Sequence, residues 1–261
     1  MSDNDEKNKS GSFLLKIESI RKQTLAFSMY LKPDDVIVAL NNEVFTFGEE
    51  LLTEKLNDVF QEGKKSLLTI YRNNTFFDIV VPKSLGCKFS TTSKEETQEV
   101  QNLFLKKKIT DLDELKEYTV MRDLRNNYEF IEKSNSVLAG LFPPAWLAYE
   151  QKWWVLSFFT TLCFLLLSIN TWAFLIGWLI ICIYCYKAQI NLMLSFSALS
   201  GKAFSMKIAT KDIHEAQKTI RELNPKAKFK YSKLEDPVKE EDQDENKKLN
   251  NNVAEEEKAL V

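Results

Sequence analysis

From Trp153 to Tyr186 the chain runs for 34 residues without one Asp, Glu, Lys, Arg or His. Elsewhere charge is dense, with 35 Lys and Arg against 37 Asp and Glu in the whole sequence, so a run this apolar is expected to sit in lipid. As one helix it would be about 50 Å long, against a hydrocarbon core of about 30 Å. A break is therefore expected. Ser168-Ile169-Asn170-Thr171 holds the clustered polar residues of the run and is followed by Trp172, which suits a membrane–water interface. The pattern predicts a helical hairpin with arms at about 148–167 and 172–190, in which Lys152 and Lys187 snorkel to the headgroups. Whether the hairpin crosses or only dips is open at this level. The segment 190–196 either extends the second arm or lies in the interface.

Lys133, Lys152, Lys187, Lys202, Lys207 and Lys211 flank the hairpin while its turn is uncharged, which predicts cytoplasmic flanks. The N-terminus, MSDNDEKNKS, has no apolar stretch and does not read as a signal peptide. Cys87 stands alone and Cys163, Cys182 and Cys185 lie in the apolar run, so no disulfide framework is expected. Without further ligands beside them, Cys182 and Cys185 read as packing residues. Net charge is only −2, which argues against nucleic-acid binding. His214 is the single histidine and falls on a polar helix pattern, which removes most triad, H-E-x-x-H and histidine–zinc templates. The seven glycines are not spaced as a phosphate cradle. No catalytic residue, metal ligand or cofactor is expected. With Lys152 and Lys187 at the headgroups, neither arm carries an intramembrane Asp, Glu, Lys, Arg or His, which argues against a channel or transporter.

Residues 1–9 read as a disordered leader. Strands are predicted at 13–17 and 35–40, the second followed by the turn residues Asn41-Asn42. A helix fits 49–61, with Leu51, Leu52, Leu56 and Val59 on one face and Gly63 closing it. A hairpin then turns at Asn73-Asn74 between 66–71 and 75–81. The segments LKPDDVIVALNNEVF (31–45) and GKKSLLTIYRNNTFFDIVVPK (63–83), with the helix between them, resemble the PDZ domains of bacterial HtrA-type proteases. Asp34, Asn42 and Asn74 stand where that family has turn glycines, a swap that residues tolerant of positive φ permit. The resemblance implies a PDZ-like domain at 10–84 that adds an extended peptide or protein C-terminus beside its first strand. The implied groove is Gly11, Ser12, Phe13, Leu14 and Leu15 facing Leu52, Lys55, Leu56 and Val59 of the helix. The same apolar residues are equally those of a plain core.

A helical connector is expected over 85–136. Ser93-Lys94-Glu95-Glu96 opens one helix to about 107, and Thr110-Asp111-Leu112-Asp113 opens another to about 125. Lys106-Lys107-Lys108 would complement the first helix's dipole or touch anionic headgroups. Beyond it, FPPAWLAYEQKWW (142–154) before an apolar hairpin is similar to a family of small bacterial membrane proteins of unknown function, marked by a Pro-x-Trp-x-x-Tyr box. In that reading Trp146, Tyr149, Trp153, Trp154 and Trp172 lie at the membrane interface, 137–200 is a membrane-embedded hairpin with an interfacial helix, and 201–234 is a small α/β unit. From 235 to 261 the chain is an acidic tail too poor in apolar residues to fold.

The expected class is thus an α+β PDZ-like domain, an α-helical membrane hairpin and a disordered acidic C-terminal tail. The resemblances imply the bacterial inner membrane, with the soluble regions facing the cytoplasm. They point to a non-enzymatic membrane-anchored adaptor or scaffold whose partners are membrane lipid and a protein or peptide, with self-association open because the tail ends Ala259-Leu260-Val261. The alternative is a structural subunit of a membrane complex that docks a folded partner without a free peptide.

Overall fold

A computed structural model describes residues 13–238; Gly11, Ser12, the leader and residues 239–261 of the expected tail lie outside the described residues. In chain order the elements are β1 (Leu15–Ile20), α1 (Leu25–Ser28), β2 (Val36–Leu40), β3 (Glu43–Val44), α2 (Glu49–Gln61), β4 (Ser66–Arg72), β5 (Thr75–Val81), β6 (Cys87–Thr91) and α3 (Lys94–Phe104). There follow β7 (Lys116–Arg122), β8 (Asn127–Glu132), α4 (Val137–Leu141), α5 (Pro143–Tyr149), α6 (Trp153–Ile169), α7 (Thr171–Leu199), β9 (Ala203–Thr210), α8 (Ile213–Leu223) and β10 (Lys228–Phe229). This is a mixed α+β chain. It divides into two compact units, the first drawing on 13–117, 125–128 and 206–238, the second on Tyr118–Leu124 and Glu129–Ser205.

In the first unit the strands lie in the order β6-β1-β2-β4-β5-β9, each pair antiparallel. Val36-Ile37-Val38-Ala39-Leu40 is buried throughout, as a β-branched run covered on both faces must be. Asn73 and Asn74, at φ 48° and 62°, make the two-residue turn that lets β4 and β5 pair from Ser66↔Val81 to Arg72↔Thr75. Asp34 holds φ 72° and Asn42 69°, so these residues do adopt the left-handed backbone that glycine would take more cheaply. The unit's buried ion pair follows at once. Asp35, 1% exposed, receives Arg72 Nε on Oδ1 and Nη2 on Oδ2, both at 2.6 Å, while the Lys32 backbone N–H donates to Oδ2 at 2.7 Å.

Two expectations differ from what is found. Strands β7 and β8 and a short 3-10 turn at Leu112–Glu114 stand where a second connector helix was expected. Tyr118-Thr119-Val120-Met121 is buried in four consecutive positions, a pattern no amphipathic helix produces, and Asn126 at φ 60° supplies the turn after it. The strand and helix expected at 201–234 do form, with Asp212 capping α8 by accepting the Glu215 N–H. They do not make a separate body, because β9 pairs with β5 through Asp78↔Ala209.

The second unit is mostly helical. Its core gathers Met121, Ile131, Ala139, Trp146, Leu147 and Met193. Asn170 alone separates α6 from α7, its side chain accepting from the N–H groups of Trp172 and Ala173. At 29 residues, α7 is long and apolar enough to cross a membrane by length and composition, and 17% of its most apolar window is buried in the protein. The apolar α6 is shorter, at 17 residues.

Candidate functional site

The expected groove is built on β1 and α2. On one edge β1 pairs with β2, at Leu15↔Ile37; on the other it pairs with β6, at Leu15↔Thr91, Lys16↔Ser90 and Ile17↔Phe89. The edge beside which a peptide strand would be added thus carries the chain's own strand. One residue upstream, Leu14 is held in the same way. Its N–H donates to Thr92 Oγ1 at 3.1 Å and its carbonyl accepts from the Thr92 N–H at 3.0 Å, while Thr92 and Thr97 hydroxyls lie 2.7 Å apart. Leu14 packs with Val36, Val38, Ala39 and with Val100 and Phe104 of α3. Phe13 is half-buried, and Leu52 and Leu56 of α2 are core residues.

Lys55 and Val59, the other two groove candidates, lie apart from β1's residues. With Asp58 they line a cavity of about 360 Å³ whose opposite wall is Leu40, Asn41, Glu43, Val44, Phe45 and Phe47 of the β2–β3 turn and the segment after it. The Lys55 ammonium stands 5.8 Å from the centroid of the Phe45 ring and 5.7 Å from that of Phe47, and the rings meet edge to face. A partly open cavity with aromatic faces, one cation and two carboxylates suits an apolar side chain flanked by polar groups. Sequence reasoning missed Phe45 and Phe47; the alternation Phe45-x-Phe47 after the Asn41-Asn42 turn was the available signal.

The second unit holds a cluster of buried charge. Glu129 on β8 accepts Lys152 Nζ on Oε1 and Lys202 Nζ on Oε2, each at 2.6 Å, and the Ser197 hydroxyl donates to Oε2 at 2.9 Å. Lys152 also donates to Ser197 Oγ at 3.3 Å. Burial would raise the Glu129 carboxyl, but the hydrogen bonds and charges of Lys152 and Lys202 outweigh it and hold it down at about 2. Glu150, nearby, is raised: burial does most, and the charges of Glu129 and Glu132 add to it against the opposing pull of Lys152. Lys152 therefore does not snorkel outward. Its carboxylate partner comes from a strand 23 residues earlier, and only the fold brings the two together.

Of the expected interface residues, Tyr149, Trp153, Trp154 and Trp172 are more than half exposed. Trp146 is not one of them: it is 1% exposed and packs in the unit's core. Positions 146, 149 and 153 share a face only on one continuous helix, and the chain breaks between α5 and α6, with Gln151 at φ 56°. Cys87, on β6, is buried, and burial pushes its thiol up to about 12. Among the described residues no group of three or more His, Cys, Asp or Glu side chains is placed to hold a metal ion. The chain matches no protein-family model, and no curated protein matches it significantly.

Proposed function

We propose that this chain is a membrane-anchored adaptor, without enzymatic chemistry of its own, that holds a protein or peptide partner at a bilayer surface through a PDZ-like unit. The observation that carries the reading is the helix pair α6–α7, where Phe158, Leu165, Ile169, Trp172, Leu179 and Ile180 all stand more than half exposed. An apolar surface of this extent needs lipid or protein over it. Because β5 precedes the helices and β9 follows them in one sheet, any crossing of the bilayer must be even in number, which favours a hairpin over a single span. The uncharged turn against Lys187 and Lys202 at the open end supports cytoplasmic flanks and, with the two resemblances, a bacterial inner membrane.

A second reading, a structural subunit that docks a folded partner, is favoured by one specific observation: β6 already pairs with the β1 edge. The cavity beside Lys55 supports the adaptor instead, as a pocket for one anchoring side chain. The test uses the full chain in lipid nanodiscs against a library of peptides with free C-termini. An adaptor enriches a defined C-terminal sequence and loses it on Phe47→Ala; a docking subunit enriches none. Topology is tested in cells with single cysteines at Asn170 and Ser232 and a membrane-impermeant thiol reagent. Labelling of the two sites from opposite sides supports a crossing hairpin. Ser232 labelled from outside would overturn the cytoplasmic placement.

A further inference from the structure

Between Lys133 and Glu150 the chain runs sixteen residues, Ser134 to Tyr149, with no charged side chain. This window contains α4 and α5, and it is registered along α7 by successive contacts. The Ser136 N–H donates to Gln189 Oε1 at 2.9 Å, and Gln189 Nε2 donates to the Ser134 carbonyl at 3.3 Å, so the window begins level with Gln189. Gly140 comes next against Tyr186, where a Cβ on residue 140 would stand 3.0 Å from the tyrosine Cβ. The Phe142 ring then reaches that of Trp178, with centroids 5.7 Å apart. After α5 the chain has returned, for Lys152 meets Ser197. The contacts climb α7 toward Trp172 and come back.

We infer that α4–α5 is a re-entrant element that enters the acyl-chain layer beside α6 and α7 without crossing it. The inference rests on the membrane placement proposed above for those two helices. A hydrocarbon layer of about 30 Å that begins at Trp172 extends about twenty residues along α7, to the neighbourhood of Asn191. Tyr186 and Trp178, and with them Gly140 and the Phe142 ring, fall inside it. The side chains turned outward there are apolar: Val137, Leu141 and Phe142 are each at least half exposed.

The backbone at the break suits a medium without water. Irregular backbone in hydrocarbon is tolerated only when its polar groups are bonded within the protein. The Phe142 N–H donates to the Leu138 carbonyl, Pro143 and Pro144 have no N–H, and the N–H groups of Ala145 and Trp146 both donate to the Phe142 carbonyl. No backbone N–H from 142 to 146 is left unpaired, while the indole N–H of Trp146 is buried without a partner. The close approach at Gly140 seats α4 directly on α7, so the apolar surface of the one continues that of the other.

The experiment uses the full chain, its native cysteines replaced by alanine, in phosphatidylcholine–phosphatidylglycerol vesicles. Single cysteines at Leu141, at Leu175 on α7 and at Ser90 on β6, all exposed, carry an environment-sensitive fluorophore. The quenchers are lipids with a nitroxide deep on the acyl chain and, separately, aqueous iodide. The expected result is nitroxide quenching at Leu141 and Leu175 at least about twofold above Ser90, with iodide effective only at Ser90. A label at Val137 repeats the measurement at a second exposed position and should give the same ranking. Quenching at Leu175 but not at Leu141 or Val137 overturns the inference and leaves the membrane placement standing. Absence at all three sites overturns both. Protection of Leu141 from both quenchers would mean that protein covers this face, and would also overturn it.

Discussion

Replacing Arg72 by methionine keeps the aliphatic stem and removes the guanidinium from Asp35. The carboxylate, 1% exposed, loses two hydrogen bonds of 2.6 Å and keeps the single donor from the Lys32 backbone. Breaking a buried pair from one side costs about 3–5 kcal/mol, mainly because the remaining charge is stranded. The guanidinium also stacks on Phe77, 4.9 Å from the ring centroid, which adds about 0.5–1 kcal/mol. The reporter is Cys87, buried in the same unit, in a chain whose Cys163, Cys182 and Cys185 are replaced by alanine. Brief thiol labelling across a urea gradient, in detergent micelles, gives a midpoint for exposure of Cys87. At an m-value of about 2 kcal/mol/M, Arg72→Met, at about 3.5–6 kcal/mol in all, lowers that midpoint by about 1.8–3 M. The double variant Asp35→Asn/Arg72→Met should recover more than half of the loss, since a neutral amide is left in place of a stranded charge. A midpoint shift under about 0.5 M, or a double variant no better than the single, would refute the reasoning.

The Glu129 cluster makes stability of the second unit pH-dependent. The folded carboxyl sits at about 2 against an ordinary 4.5, so its contribution is complete above pH 4.5 and is lost as pH falls toward 2. The difference is worth about 3 kcal/mol; thermal unfolding followed by tryptophan fluorescence, all five tryptophans lying in this unit, should fall steeply below pH 4.5 and flatten in Glu129→Gln. Gly140→Leu should separate α4 from α7 and cost about 1–3 kcal/mol by overpacking, read as a lower thermal midpoint of the same signal. Thr92→Val removes the hydroxyl that receives the Leu14 N–H and should cost about 1–2 kcal/mol in the Cys87 midpoint, with Thr92→Ser restoring most of it. Asn170→Ala removes the side-chain acceptor at the start of α7 and should cost about 1 kcal/mol, seen as faster amide exchange at Trp172 and Ala173.

What could be read in advance was what short-range physics dictates. The Asn73-Asn74 hairpin, the Ser93 cap and the break at Asn170 are all written within four residues of where they act. Three things were not legible, for one reason. β6 beside β1, Glu129 beneath Lys152, and α4 against Gln189 and Tyr186 each join residues more than 20 positions apart. No periodicity encodes such pairings. Trp146 was misplaced because its spacing to Trp153 assumes an unbroken helix, and the break at Gln151 sits in Glu-Gln-Lys, which carries no glycine or proline to announce it. Of the nine groove candidates, seven lie among the described residues. The structure divides them between core positions (Leu14, Leu15, Leu52 and Leu56), the half-buried Phe13, and a cavity lined by Lys55 and Val59 together with the β2–β3 turn.

The β5–β9 pairing also fixes an order of events during synthesis. At about 5–20 residues per second, β5 leaves the ribosome on the order of ten seconds before Ala209 exists to pair with Asp78. Through that interval the edge of β5 stands without its final neighbour, while the apolar helices are the segment being made. The sheet can close only after β9, and so after α6 and α7, has been synthesised. A chain whose helices stall would show an open strand edge and an apolar hairpin together, the two signals by which unfinished chains aggregate or are cleared. The β5–β9 pairing therefore reports that the helices between the two strands have already been made.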